Sequence, residues 1–288
     1  MLNPRICRTF ISDTYACITG RGQLKAMERL YGWFKGTRTA GGTWYYYKFD
    51  VAKFFYRIDH EILMALLRKK IDDERTVDLI GYYINNHAIP FGMPLDADQL
   101  TITEEEMLYE LGIPIGGGLS HMLGNLYLDP LDQYAKRDLG IKRYIRYMDD
   151  IVIVDNDKEQ LKEWGRKMRD FIRENLHLDF NSKTALRPVS CGCEFVGYRL
   201  YDDHAILRKS STLRMKRRLR EVAEEYRIGA ISFKEANATM QSYLAMLSHC
   251  DCDKFKKKLL GEFVLTHADK DGKEESIYIA SDKEVEEN

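Results

Sequence analysis

Between Tyr144 and Val154 the chain reads Tyr-Ile-Arg-Tyr-Met-Asp-Asp-Ile-Val-Ile-Val, which sets two adjacent carboxylates inside a run of apolar, strand-forming residues. Aspartate is normally exposed to solvent. Two acids held together in apolar surroundings are costly unless a positive charge compensates them. The pattern predicts a hairpin, with Tyr144, Ile145 and Arg146 leading in and Ile151 to Val154 leading away. Neighbouring strand residues point to opposite faces, so only a tight turn can aim both acids at one site. Asp149 is the expected principal ligand of a hard cation, with Asp150 second. The competing reading is an exposed turn, because aspartate is a common turn residue.

Trp44-Tyr45-Tyr46-Tyr47-Lys48-Phe49-Asp50 repeats the theme as an aromatic-rich strand that ends on an acid. Two such strands side by side would build a two-Mg²⁺ site, a device suited to phosphoryl chemistry. Around them, residues 1–44 show no strong period. Asp59 to Ile71 reads as a helix with Ile62, Leu63, Leu66, Leu67 and Ile71 on one face. Residues 90–118 form a loop-rich stretch. Ser120 to Gly140 reads as a helix with Ser120 as N-cap, and Lys158 to Leu176 as a second amphipathic helix. Phe195 to Leu200 and Ala205 to Arg208 read as short strands around a turn at Asp202-Asp203. Ser211 to Leu260 reads as helical, broken near Gly229. This is an α+β order whose strands need not be parallel.

The net charge of -1 hides an uneven distribution. Residues 204–262 carry 13 basic and 7 acidic side chains, whereas residues 263–288 carry 8 acidic and 3 basic ones. A basic segment beside an acidic tail admits a nucleic-acid partner that the total would argue against. The tail is expected to be disordered. No run of about 18 apolar residues exists, and the N-terminus lacks the pattern of a signal peptide. No membrane partner and a cytoplasmic location are therefore expected. The Cys-x-Cys pairs at 191/193 and 250/252 have the wrong spacing for a zinc ribbon and read as reduced thiols.

Tyr147-Met148-Asp149-Asp150 resembles the YxDD signature of reverse transcriptases, and an ordered set of segments strengthens the resemblance. Phe49 to His60 is similar to the family's first aspartate motif, and Ile113-Pro114-Ile115-Gly116-Gly117-Gly118-Leu119-Ser120-His121 to its glycine-containing template–nucleotide motif. Asn181-Ser182-Lys183-Thr184 resembles the lysine motif, and Phe195-Val196-Gly197-Tyr198 the primer grip. The resemblance spans roughly residues 5–260, in the family's own order. It implies a right-hand polymerase with a ferredoxin-like palm sheet. Partial fingers would occupy residues 1–45, the palm with finger elements 46–203, a helical thumb 204–262, and the acidic tail 263–288.

The resemblance further implies Asp50, Val51, Asp149 and Asp150 as metal-binding positions for two Mg²⁺ ions, or Mn²⁺. Phe55 would be a steric gate under the sugar, and Lys183 a general acid toward pyrophosphate. Ile115, Gly116, Tyr147 and Met148 would border the incoming dNTP. Ser120, Phe195, Gly197 and the basic positions Arg214, Lys216, Arg217 and Arg218 would meet template RNA and the RNA/DNA hybrid. Ile115 stands where many reverse transcriptases carry a glutamine, and a branched apolar side chain cannot make that amide's hydrogen bond. In this the chain resembles the error-prone enzymes of diversity-generating retroelements, as do Phe10 to Cys17 with Gly20-Arg21-Gly22, and Ser242 to His249. That likeness implies mutagenised cDNA and a small, basic accessory protein. Ser120-His121 departs from that group's Ser-Gln, and Gly117-Gly118-Leu119 replaces a more polar trio. The start is also shorter than the family's, so the first finger strands are expected to be missing here or supplied by a partner. An abortive-infection type of reverse transcriptase and a non-catalytic RNA-binding subunit are the alternatives.

Overall fold

The computed structural model describes residues 6–85, 90–98, 100–182, 184–262, 264–268 and 274–278. They divide into two compact units, residues 1–191 and 192–288.

In the first unit, helix α1 (Gln23–Ala40) precedes strand β1 (Tyr45–Asp50). Helices α2 (His60–Arg68), α3 (Glu74–Ile84) and α4 (Gly118–Gln133) follow, then strands β2 (Tyr144–Tyr147) and β3 (Asp150–Asp155), helix α5 (Lys158–Leu176) and strand β4 (Ala185–Pro188). The sheet order is β2-β3-β1-β4, with every neighbouring pair antiparallel. This is the ferredoxin-like order expected of the palm.

The apolar stripes fix the layers. Asp59 caps α2 by accepting from the amides of Glu61 (2.9 Å) and Ile62 (3.2 Å). The predicted face then buries Leu63, Leu67 and Ile71, with Ile62 and Leu66 packed at its margin. Asp157 caps α5 in the same way, and Leu161, Met168, Ile172 and Leu176 are buried with Ile151 and Ile153 of β3. Gly165 of α5 lets the helix lie close to the rings of Tyr47 and Phe49, which anchor the strand that carries Asp50.

Two helices escaped the sequence reading. Helix α1 buries Ala26, Met27, Leu30, Phe34 and Thr37 and brings the Phe34 ring to 6.0 Å from that of Tyr46. Two exposed glycines, Gly32 and Gly36, lower its helix propensity, and the polar Thr37 sits in its buried stripe. Helix α3 buries Val77, Ile80, Gly81 and Ile84, and a Cβ at Gly81 would stand 3.1 Å from Met64 Cε. The glycine that interrupts the apolar pattern is what permits α2 and α3 to approach.

Helix α4 begins earlier than expected. Gly117 is its N-cap, and Ser120 lies inside it, fully buried, with its hydroxyl 3.2 Å from that of Tyr83. The predicted end at Gly140 is replaced by a change of pitch, since Tyr134–Asp138 form a π-helical turn.

The second unit starts with a small antiparallel sheet of β5 (Cys193–Phe195), β6 (Tyr198–Leu200) and β7 (Ala205–Leu207). The single strand expected over residues 195–200 is thus two, separated by a turn in which Val196 (φ 41) and Gly197 (φ 90) both take positive φ. The helical stretch is broken twice, giving α6 (Lys209–Arg227), α7 (Phe233–Leu247) and α8 (Asp253–Glu262). Ser232 and Glu235 form a capping box that restarts the chain as α7 after Gly229. The tail expected to be disordered instead contributes β8 (Val264–Ala268) and β9 (Glu274–Tyr278), an antiparallel hairpin. Its acidic count outweighed, in the sequence reading, a short β-competent run that buries Leu265 completely. No helix among the described residues is long and apolar enough to cross a membrane.

Candidate active site

The β2–β3 connection is as short as an antiparallel hairpin allows. Tyr147 pairs with Asp150, which leaves Met148 and Asp149 as the two turn residues. Met148 has φ 54, the left-handed conformation that such tight hairpins demand and that L-residues adopt at a cost. Beside the turn, β1 runs antiparallel to β3 with Asp50 directly opposite Asp150, and the Val51 amide donates to the Asp149 carbonyl at 3.3 Å. Residues directly opposite in a sheet project to the same face. The hairpin and the end of β1 therefore bring three carboxylates into one neighbourhood.

The acids are held in different ways. Asp150 forms an ion pair with Lys48 at 2.9 Å. Lys48 lies two residues before Asp50 on the same strand and so on the same face. Asp50 accepts from the side-chain amide of Asn181, and its carbonyl from the Asn181 backbone N–H at 2.8 Å. Burial, and next the nearby Asp50 carboxylate, push the Asp149 carboxyl up from 3.8 to about 6. Among the described residues no group of three or more His, Cys, Asp or Glu side chains closes into a metal-binding cluster. The donor set nonetheless fits Mg²⁺. That ion takes one or two carboxylates and leaves its other positions to phosphate and water, and Asp149 is an acid whose charge asks for a cation.

Next to the acids opens a cavity of about 450 Å³, lined by residues 50–56, Ile115, Asp149, Asn181 and Ser182. Ile115 is 55% exposed on its wall. Phe54 is buried, whereas Phe55 stays half-exposed at the cavity. The Phe55 carbonyl accepts from the Ile113 amide at 2.9 Å, which ties the 113–116 segment to the end of β1. Gly116 has φ 101 with open space where a Cβ would stand, so this glycine is a conformational requirement of the turn.

Residues 3–200 match the family described as reverse transcriptase (RNA-dependent DNA polymerase). The chain belongs to the reverse transcriptase family. It is 28% identical over 184 residues to Protein YkfC of Escherichia coli K12, which covers 52% of this chain and 45% of that protein. It is 31% identical over 118 residues to an uncharacterized 91 kDa protein in a cob intron of Schizosaccharomyces pombe, covering 41% of this chain and 12% of the relative. The chain thus spans less than half the length of these relatives. Telomerase from Candida albicans, solved with a fragment of telomeric RNA, superposes with a TM-score of 0.52 at 12% identity, over 90% of this chain and 46% of that one. Apo telomerase from Candida tropicalis gives 0.54 at 10% identity, over 73% and 40%. These likenesses place the chain in the right-hand polymerase fold.

Other expected site residues of the chain fall in varied places. Lys183 lies outside the described residues. Val51 is buried and bridges to Phe180, and Tyr147 is half-buried at the hairpin. Ser120, expected to meet nucleic acid, is enclosed between α4 and Tyr83 because it lies on a helix face that packs inward. Phe195 is likewise buried, so its ring anchors the small sheet, and the turn at Val196-Gly197 is the part of the primer-grip motif that solvent reaches. On α6, Arg214 and Arg217 are exposed. Arg218 pairs with Glu225 at 2.8 Å, and Lys216 lies 5.4 Å from the centre of the Phe255 ring. Lys48, Asn181 and His121 were not predicted to take part. For Lys48 the legible signal was a cation two positions before an acid on a strand.

Proposed function

We propose that this chain is the nucleotidyl-transfer core of an RNA-directed DNA polymerase that adds dNTPs to a primer 3′-end over template RNA. The observation that supports this best is the register of β1 against β3. It sets Asp50 beside the Asp149-Asp150 turn, at the mouth of a cavity that also holds Phe55 and Ile115. Asp50 and Asp149, with Asp150 and the Val51 position beside them, would hold two divalent cations, Mg²⁺ or Mn²⁺. When bound, such ions supply activation of the attacking 3′-oxygen and neutralisation of the leaving pyrophosphate. Asn181 orients the Asp50 carboxylate, and Lys48 holds that of Asp150. Phe55 meets the sugar and excludes a 2′-hydroxyl by contact. Gly116, Tyr147 and Met148 border the nucleotide, and Lys183 protonates the pyrophosphate. The exposed arginines of α6 grip the backbone of the RNA/DNA hybrid, and the turn at Gly197 meets the primer.

The finer reading is an error-prone enzyme of a diversity-generating retroelement, served by a small, basic accessory protein. Ile115 supports it. An apolar, exposed side chain on the cavity wall offers the nascent base pair no hydrogen bond, and fidelity built on shape alone is weaker there. The test is primer extension on a defined RNA with Mg²⁺ and dNTPs, for wild type and Asp149→Ala, with product sequencing. DNA from wild type alone, with errors concentrated opposite template adenines, is the expected result. Accurate DNA would keep the polymerase and remove the mutagenic role. No DNA from either protein, with partner and RNA supplied, would leave a non-catalytic RNA-binding subunit.

A further inference from the structure

Helix α4 presents one stripe of residues at spacings of three and four: Gly117, Ser120, His121 and Gly124. The first two meet Tyr83 of α3. A Cβ at Gly117 would stand 3.0 Å from the Tyr83 hydroxyl, and the Ser120 hydroxyl lies 3.2 Å from it. The next two meet the aromatic pair that follows β1. The His121 ring stands edge-on to Phe55 at 6.0 Å between centroids and 79° between planes. Gly124 faces the same rings from below, where an added Cβ would lie 3.1 Å from Phe54 Cε1 and 3.3 Å from Phe55 Cε1. The two phenylalanine rings are 5.1 Å apart.

Phe55 is therefore bounded on three sides. Phe54 is buried and cannot yield, the α4 backbone at Gly124 forms the floor, and His121 forms a wall. The remaining side of the ring is the cavity that contains Asp50, Asp149 and Ile115. A ring with a fixed floor and one open side has its height set by the floor. Any group added beneath it drives it toward the nucleotide, and removal of the wall lets it lean back.

We infer that Gly124 and His121 are positioning residues that set how far Phe55 stands into the sugar site, and so set the discrimination between deoxyribo- and ribonucleotides. The inference rests on Phe55 acting as the gate. His121 occupies an adjacent, partly exposed position from which it acts through the ring, and Gly124 acts by having no side chain. Removing a helix glycine offsets part of the crowding that an added methyl meets at Phe54, and partial unfolding would lower incorporation of both substrates alike, so a change in their ratio is not explained by unfolding.

The experiment measures kcat/KM for dNTP and rNTP incorporation on one RNA template with Mg²⁺. The proteins are wild type, Phe55→Val, Gly124→Ala, His121→Ala, and the two double variants built on Phe55→Val. Gly124→Ala is expected to raise the dNTP-over-rNTP ratio about three- to tenfold and His121→Ala to lower it by a similar factor, the scale on which displaced rotamers act. Both effects should vanish in the Phe55→Val background. If Phe55→Val changes the ratio while neither single variant does, or if both shifts persist without the ring, the positioning inference is overturned and the gate stands. Equal losses of both substrates, with the ratio constant, overturn it in the same way. If Phe55→Val leaves the ratio unchanged, the gate reading falls and this inference with it.

Discussion

Asp149→Asn should make the metal-free protein more stable while it stops DNA synthesis. The Asp149 carboxyl is raised from 3.8 to about 6, first by burial and then by the neighbouring Asp50. At about 1.36 kcal/mol per tenfold in ionisation, that rise corresponds to an upper bound of about 3 kcal/mol against the charged form in the fold. The sign follows from the direction. A carboxyl that binds its proton more tightly when folded opposes folding above about pH 6, and that opposition is relieved as the pH falls through 6 toward 4. Asparagine keeps the shape and removes the charge. Denaturant midpoints in EDTA at pH 7.5 should therefore be higher for the variant, by no more than about 3 kcal/mol in unfolding free energy. The gap should close toward pH 4. Added Mg²⁺ should stabilise wild type more than the variant, because a ligand bound only by the native state raises stability. A lower midpoint for Asp149→Asn in EDTA at pH 7.5 would refute the claim that this acid is held at a cost for a cation.

Three further outcomes are expected. Asp132→Asn leaves the buried Arg146 without its ion-pair partner at 2.7 Å and should cost about 3–5 kcal/mol in chemical denaturation. Gly165→Ala would drive a Cβ into the Tyr47 ring and to within 3.1 Å of Phe49 Cζ, so it should destabilise by about 1–3 kcal/mol and reduce synthesis by displacing the strand that carries Asp50. Arg214→Ala should lower the slope of log affinity against log salt for template–primer by about one, and Arg217→Ala, whose exposed guanidinium reaches Glu221 at 3.6 Å, by less. Arg218→Ala, whose guanidinium is engaged by Glu225 and Glu221, should change that slope little.

The hairpin and its acids were legible because their cause is local. An apolar run interrupted by two carboxylates admits few arrangements, and the turn at Met148-Asp149 is the one that aims them. The faces of α2 and α5 were legible for the same reason, since leucine, isoleucine and methionine recur at helical spacing. Helix α3 was hidden by a glycine at a packing position, because the benefit of Gly81 lies in Met64, a residue on another helix, and helix α1 by two exposed glycines, Gly32 and Gly36, which are poor helix formers that touch nothing. Ser120 and Phe195 show the complementary failure. Motif likeness marks a position but not the direction of its side chain, and both point into packed interiors. Spacing places Lys48 on the face of Asp50, but its pairing with Asp150 depends on strand register, and the Asn181 contact depends on a segment that returns beside β1.

The clasp around Arg146 has a consequence for how the chain reaches this state. Its guanidinium donates to the Met148 carbonyl at 2.9 Å, to the Asn125 side chain at 3.1 Å and to both oxygens of Asp132, which also accepts from Thr14 across 118 residues of sequence. The Arg146 amide donates to the Asp13 carbonyl at 2.9 Å, and the Tyr15 amide donates to the Arg146 carbonyl at 3.1 Å. The stretch from Asp13 to Tyr15 thus lines the outer margin of β2, although a ribosome makes it long before β2 exists. During synthesis it must wait for its partner strand, and long-range closures of this kind are slow. The Asp13–Tyr15 stretch and the strand that leads into the Asp149 turn are therefore fixed together, in the step that seals this margin of the sheet. A nascent chain halted before Arg146 holds neither the Asp149 turn nor a protected sheet edge.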